Sequence, residues 1–188
     1  MTITRYDPTT SDDWLLAGSP SGLRAQSMRS LDVRTDLTAL TTQVMTSVAV
    51  PLQAGELVTN LTFKSGATAA NTPTNWWFAL YDTSSTPALI AQTADQTSTA
   101  WAANTVMTKA LSTAYRVPTT GIYYAAIMVK ATTPPTLLGA SVGLAGASAS
   151  ILSSKVLAQT SGSSLTDTAP ATIATPTAIA TVPLAVLT

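Results

Sequence analysis

Cysteine and histidine are both absent from this 188-residue chain. Without cysteine there are no disulfides, no thiolate metal ligands and no thiol nucleophile, and the redox compartment is left open. Without histidine there is no imidazole ligand and no side chain that titrates near neutrality when unperturbed. Charge is scarce as well: 10% of residues are charged, against about 25% in an ordinary globular domain. The charges balance to zero, so the clustered lysine and arginine that a nucleic-acid partner requires are missing. Glu56 is the sole glutamate and there are four lysines, which removes the usual formers of surface helices.

What fills the chain instead is threonine and alanine, roughly a third of all positions, with 11 prolines and 9 glycines. Long helices are disfavoured by this mixture, and β structure with a threonine-lined surface is favoured. So neutral a surface suits a protein covered by partners or placed in a symmetric assembly. Mean hydropathy is +0.28, so membrane spans need weighing. The uncharged stretch 131–154 opens on Pro134-Pro135 and is filled with small residues, and 168–188 carries Pro170, Pro176 and Pro183. Neither resembles the roughly 20 strongly apolar residues that cross a bilayer. The first residues lack the apolar core of a signal peptide. No membrane partner is expected, and the chain is expected to be made in the cytoplasm.

Nine of the charged residues fall in the first 40 positions: Arg5, Asp7, Asp12, Asp13, Arg24, Arg29, Asp32, Arg34 and Asp36. The same segment holds Trp14-Leu15-Leu16 beside Gly18-Ser19-Pro20-Ser21-Gly22. It reads as an extended N-terminal arm, residues 1–40, with one apolar anchor; a short helix over 23–40 is the competing reading. Beyond it, strand signals alternate with turn residues at 44–51, 57–64, 75–82, 87–92, 105–112, 121–130, 136–145 and 182–187. Lys109 is expected to point outward between Met107 and Leu111. The runs NWWFALYD and GIYYAAIMVK are apolar on both faces, as strands inside a packed sheet are. Eight short strands without a helical period predict an all-β fold, an antiparallel β-sandwich of jelly-roll-like form over 41–188. Its expected core holds Trp76 or Trp77, Phe78, Leu80, Ile122, Tyr124 and Met128. From 146 to 180 the periodicity fades into alanine, serine and threonine, predicting a low-complexity segment that wraps its own sandwich or meets a neighbouring chain.

Chemistry is thinly represented. Serine and threonine need a base, and only lysines and carboxylates remain to supply one. In the sandwich region the acids are Glu56, Asp82, Asp95 and Asp167. Asp82 opens Asp82-Thr83-Ser84-Ser85, where a short polar side chain starts a turn, and Asp95 lies in another loop. The turn reading outweighs paired-carboxylate catalysis. Asp82 or Asp95 with loop carbonyls could form a calcium site, but no ligand cluster supports one. No catalytic residues, metal or cofactor are assigned. The adjacent pairs Trp76-Trp77 and Tyr123-Tyr124 place one ring on each face of a strand. Core and interface burial is the favoured role for them, with stacking on sugar rings the alternative.

Several runs carry a family likeness in order: SGATAANTPTNWWFALYD at 65–82, QTAD at 92–95, TAWAANT at 99–105, GIYY at 121–124, ATTPPTL at 131–137 and LTDTAP at 165–170. Together they resemble a β-sandwich module of tailed-phage virion proteins, particularly of phages infecting actinobacteria. The resemblance covers most of the chain after residue 40. It implies a structural or adhesive role in the particle and carries over no catalytic residues. Because the module is nearly the whole chain here, the implied role is a capsid decoration (minor capsid) protein on the outside of the virion, whose partner is the major capsid protein. The alternative is a tail or head-fibre adhesin that binds a host surface glycan. Docking is assigned to Trp14, Leu15 and Leu16 as apolar anchor and to Arg24, Arg29 and Arg34 as ion-pairing groups. A surface this poor in charge is better buried against copies of itself, and the three-fold axes of an icosahedral shell make a trimer the natural unit. Sedimentation at micromolar concentration is therefore expected to give a trimer; a monomer there, with isolated single copies on the particle, overturns that expectation.

Overall fold

The computed structural model describes residues 23–141 and 155–188. Among them there is no α-helix, only a 3-10 turn at Ser30–Asp32. The strands are β1 (Ala25–Gln26), β2 (Thr35–Asp36), β3 (Met45–Leu52), β4 (Leu57–Lys64), β5 (Asn75–Tyr81), β6 (Leu89–Gln92), β7 (Val106–Arg116), β8 (Gly121–Lys130), β9 (Leu138–Ser141), β10 (Ala158–Ser161), β11 (Thr177–Ala178), β12 (Thr181–Pro183) and β13 (Ala185–Leu187). They form a six-stranded sheet in the order β11-β10-β3-β8-β5-β6, a four-stranded sheet β1-β13-β4-β7 and a small sheet β12-β9-β2. Every pairing is antiparallel. The chain is an all-β sandwich. Three of its pairings are nested in sequence, β3 with β8, β4 with β7 and β5 with β6, and they alternate between the two sheets. That is the wrap of a jelly roll, carried through three nested pairs.

Period-two alternation decides what each strand buries. On β5, Trp76, Phe78 and Leu80 face the space between the two large sheets, with Tyr123, Ala125, Ile127 and Val129 of β8 beside them. Val48, Val50 and Leu52 of β3 and Val58, Leu61 and Phe63 of β4 complete that layer. Phe78 is its centre: its ring lies 4.8 Å from Phe63, 5.6 Å from Trp76 and 5.8 Å from Trp101. Trp76 and Trp101 stand 5.2 Å apart, and their indole N–H groups donate to the carbonyls of Thr99 and Thr105. These tilted contacts add about 0.5–1.5 kcal/mol per pair beyond area burial.

The opposite face of the same strands is equally apolar. Trp77, Ala79, Tyr81, Tyr124, Ala126, Met128 and Met45 form a second buried cluster, closed by Ala169 and Ile173. The closing element is a strap, residues 162–176, which runs over the outer face of the six-stranded sheet. Trp77 Nε1 donates to Thr166 O at 2.8 Å and Tyr81 Oη to Pro170 O at 2.8 Å. Gln92 binds both ways, donating to Asp167 O and accepting from Ala169 N. Past the sheet edge, Leu89 N donates to Ala171 O and Ile173 N to Pro87 O. The part of the 146–180 segment that is described thus wraps its own chain, and it contributes β10 and β11, which no periodicity announced. Residues 142–154 lie outside the described residues.

Tyr124 and Met128 are buried core residues as expected, in the layer under the strap; three other expectations need correction. Ile122 shares their parity, at the strand end beyond the strap, and is only half-buried. Lys109 shares a face with Met107 and Leu111, as residues two apart on a strand must; its amine crosses the Trp76 ring at 5.0 Å and donates to Gln96 Oε1 at 2.8 Å. The run at 182–187 is two strands. β12 pairs with β9 and β13 with β4, and the chain changes sheets at Leu184.

The competing helix over 23–40 is not formed. Those residues run extended along the sandwich: β1 pairs with β13, Arg34 N donates to Gly139 O, Leu37 N to Leu137 O and Leu40 N to Pro135 O. A Cβ on Gly139 would lie 2.1 Å from Val182 O and 2.8 Å from Leu37 Cδ1, so only glycine lets β2 and β12 close on β9. The composition shift near residue 40 therefore does not mark where the fold begins.

Two substitutions separate the layers. Phe78→Ala is expected to cost about 3–5 kcal/mol of unfolding free energy, measured by urea denaturation. Tyr81→Phe removes one hydrogen bond to the strap and should cost about 1 kcal/mol. A near-zero loss for Phe78→Ala would remove that ring from the centre of the core.

Candidate functional site

The paired tryptophans and tyrosines of β5 and β8, with Tyr81 and Trp101, are not presented for ligand binding. Trp76, Trp77, Trp101, Tyr81, Tyr123 and Tyr124 are each at most 2% exposed. Tyr123 Oη donates to Thr119 O and Tyr124 Oη to Val156 O. Burial pushes the Tyr81 phenol well above its ordinary pKa. The rings offer no platform to a sugar.

The acids are taken up by loops. Asp82 Oδ1 accepts from Ser84 N at 3.0 Å, from the Ser84 hydroxyl and from Ala88 N at 2.9 Å, closing the turn expected at 82–85. Partial burial raises the Asp82 carboxyl, but the Ser84 and Ala88 hydrogen bonds and the Lys155 charge more than offset it and hold the group below the usual value. Lys155 donates to Ser84 O and lies 5.7 Å from the Tyr124 ring; burial lowers its pKa while Asp82 opposes the fall. Asp95 accepts from Asn75 Nδ2 at 2.6 Å. No group of three acidic, cysteine or histidine side chains comes together among the described residues.

Of the assigned docking residues, Trp14, Leu15 and Leu16 lie outside the described residues. Arg29 pairs with Asp32, Nε to Oδ2 at 3.0 Å, across the exposed 3-10 turn. Arg34 is exposed close by and, with Arg29, draws the Asp32 carboxyl below its ordinary range, the Arg29 hydrogen bond being the larger cause. Arg24 is elsewhere. It stands at the end of the four-stranded sheet, where its Nε donates to Leu57 O at 3.4 Å.

That end of the sheet carries an open cleft of about 590 Å³ lined by Arg24, Gln53, Ala54, Gly55, Glu56, Leu57 and Arg116. Its floor is the turn between β3 and β4. Gly55 sits there at φ 94°, in the left-handed region that glycine enters without strain. Gly55 N donates to Val117 O, and Ala54 N to the Thr120 hydroxyl. Arg116 Nη1 donates to Gly55 O at 2.8 Å. Glu56 Oε2 accepts from Gln53 N at 2.7 Å, turned back on its own turn. The structure thus separates the three assigned arginines into two places and adds Arg116 to one of them. Sequence reasoning missed Arg116 because its position opposite Leu57 appears only once the register of β4 and β7 is known.

No protein-family model matches the chain, and no curated protein matches it.

The Asp82 turn yields a pH dependence. A carboxyl whose folded pKa lies below its unfolded value of 3.8 contributes stability above that value and loses it as pH falls through the folded pKa. The advantage of the unmodified chain over Asp82→Asn in thermal midpoint should be full near about pH 6 and shrink steadily below about pH 4. An advantage independent of pH would show that the charge of Asp82 does not hold the turn.

Proposed function

We propose that the chain is a non-enzymatic structural protein of a tailed-phage particle, a capsid decoration protein that binds and stabilises the shell. The observation that carries this reading is the way the described chain closes on itself. Both faces of the central sheet are covered from within, by the four-stranded sheet on one side and the strap on the other. What remains outward on the four-stranded sheet is mostly small and carries little charge: Thr108, Ala110 and Ser112 of β7 are exposed beside Thr62 and Asn60 of β4, with exposed Val106 opposite Lys64 at the end of the pair. A prefolded block with a neutral, hydroxyl-rich face suits an accessory subunit added to a finished surface, and the run of family-like motifs supports the phage setting.

The first 22 residues join the sandwich where Arg24 N donates to Leu187 O. In this reading they dock on the major capsid protein or an adjacent subunit through Trp14, Leu15 and Leu16, on the exterior of the virion. Trimerisation rests on the charge-poor face alone, because Trp77, Tyr81 and Tyr124 are covered by the strap and are not spare. The adhesin reading keeps the resemblance but loses its stacking platform.

Binding to purified shells is the test. Deleting residues 1–22 should leave the thermal midpoint nearly unchanged and abolish shell binding. Trp14→Ala should weaken binding about thirtyfold, the equivalent of about 2 kcal/mol. Mass-spectrometric stoichiometry should give hundreds of copies per particle. A truncated protein that decorates shells with full affinity, or a count of a few per virion, sinks the proposal.

A further inference from the structure

Two of the nine cationic side chains of a charge-poor protein converge on the cleft at the end of the four-stranded sheet. They come from opposite sides. Arg116 ends β7, in register opposite Leu57, and Arg24 comes from the arm on the far side of β13. Arg116 is tied to the carbonyl of Gly55 in the turn and Arg24 to that of Leu57, where the turn enters β4. Neither forms an ion pair among the described residues, and Glu56 between them accepts from Gln53 N instead.

A guanidinium carries five N–H donors in a fixed fork. The hydrogen bond to the turn fixes one of them and orients the rest, which lowers the ordering cost of receiving a carboxylate. The two anchoring carbonyls belong to residues two apart, so they lie within about 7 Å of each other. Alternate side chains of an extended chain are about 6–7 Å apart. No aromatic ring lines the cleft, so a sugar ring would find nothing to stack on, whereas an extended peptide needs none. We infer that the cleft is a receptor for an extended acidic segment of a partner protein, with carboxylates at alternate positions, one on Arg24 and one on Arg116. The inference rests on the docking reading above and names a second contact, separate from Trp14.

The arginine Nε–H resonances of the full chain, five in number, report directly on it. Titration with the peptide acetyl-Thr-Asp-Thr-Asp-Thr-amide should shift Arg24 and Arg116 together and saturably, leaving Arg5, Arg29 and Arg34 unmoved. Arg24→Gln and Arg116→Gln should each weaken binding about fivefold or more. The same peptide with its two acids adjacent should bind more weakly, and trigalacturonate should not saturate. Equal shifts at all five arginines, equal binding of the adjacent-acid peptide, or saturation by the sugar acid alone would overturn the inference. Shell binding by the unaltered protein is measured in parallel. A responsive cleft without shell binding defeats the decoration reading and supports the receptor, and shell binding with a silent cleft does the reverse.

Discussion

Everything in this fold depends on the central pair β5 and β8 being apolar on both faces. A strand such as Asn75–Tyr81, with six of its seven residues buried, cannot leave either side to water. Each large side chain removed from solvent is worth about 1.5–3 kcal/mol, and one sheet can collect that on one face only. The second cover must come from somewhere, and here it comes from the chain itself. The strap has few large apolar residues of its own. It attaches by giving backbone carbonyls to the polar tips of the rings it covers, Trp77 and Tyr81, and by the two-way bond to Gln92. Each such bond contributes about 1 kcal/mol net, and each also satisfies a polar atom that burial would otherwise strand.

The same constraint explains which parts of the structure could be read from residues alone. Strands β3, β4, β5, β7 and β8 announce themselves by alternation and by the turn residues between them, and the structure has them within a few residues of the expected bounds. Parity along β8 correctly groups Ile122, Tyr124 and Met128. It cannot say which layer that group enters, because both faces are apolar, and Lys109 shows that a charge does not by itself mark the solvent side. The strap was legible only as one of two alternatives, a wrap over its own sandwich or a contact with a neighbour, because its contacts are made by main-chain carbonyls of Thr166, Asp167 and Pro170, which carry no residue-type signature. The cleft was half legible. Arg24 stood out in a charge-rich arm, while Arg116 acquires its meaning only from the register of β7 against β4.

Scarcity of charge has a structural counterpart as well. With one ion pair among the described residues, at the exposed Arg29–Asp32 turn, the sandwich is held by burial, ring contacts and hydroxyl-to-carbonyl bonds. Ser65 bonds the carbonyls of Ala102 and Thr105, Ser27 that of Pro183, and Thr62 meets Thr108 at 2.8 Å across two strands. Such contacts are insensitive to salt, unlike surface ion pairs. Threonine thus supplies the strand propensity, and serine and threonine together supply the cross-links.

The placement of β13 between β1 and β4 has a consequence for biogenesis. β1 and β4 leave the ribosome long before the strand that separates them, so the four-stranded sheet cannot be assembled in the order of synthesis. Until Ala185–Leu187 emerges, a strand-wide gap stays open beside Leu61 and Phe63, and β1 has no neighbour to pair with. Closing the sheet is therefore a late edge addition: β13 docks on β4 and only then gives β1 a strand to pair with. Without β13, the edge of β4 at Leu61 and Phe63 is an unpaired strand edge of the kind that accepts another strand.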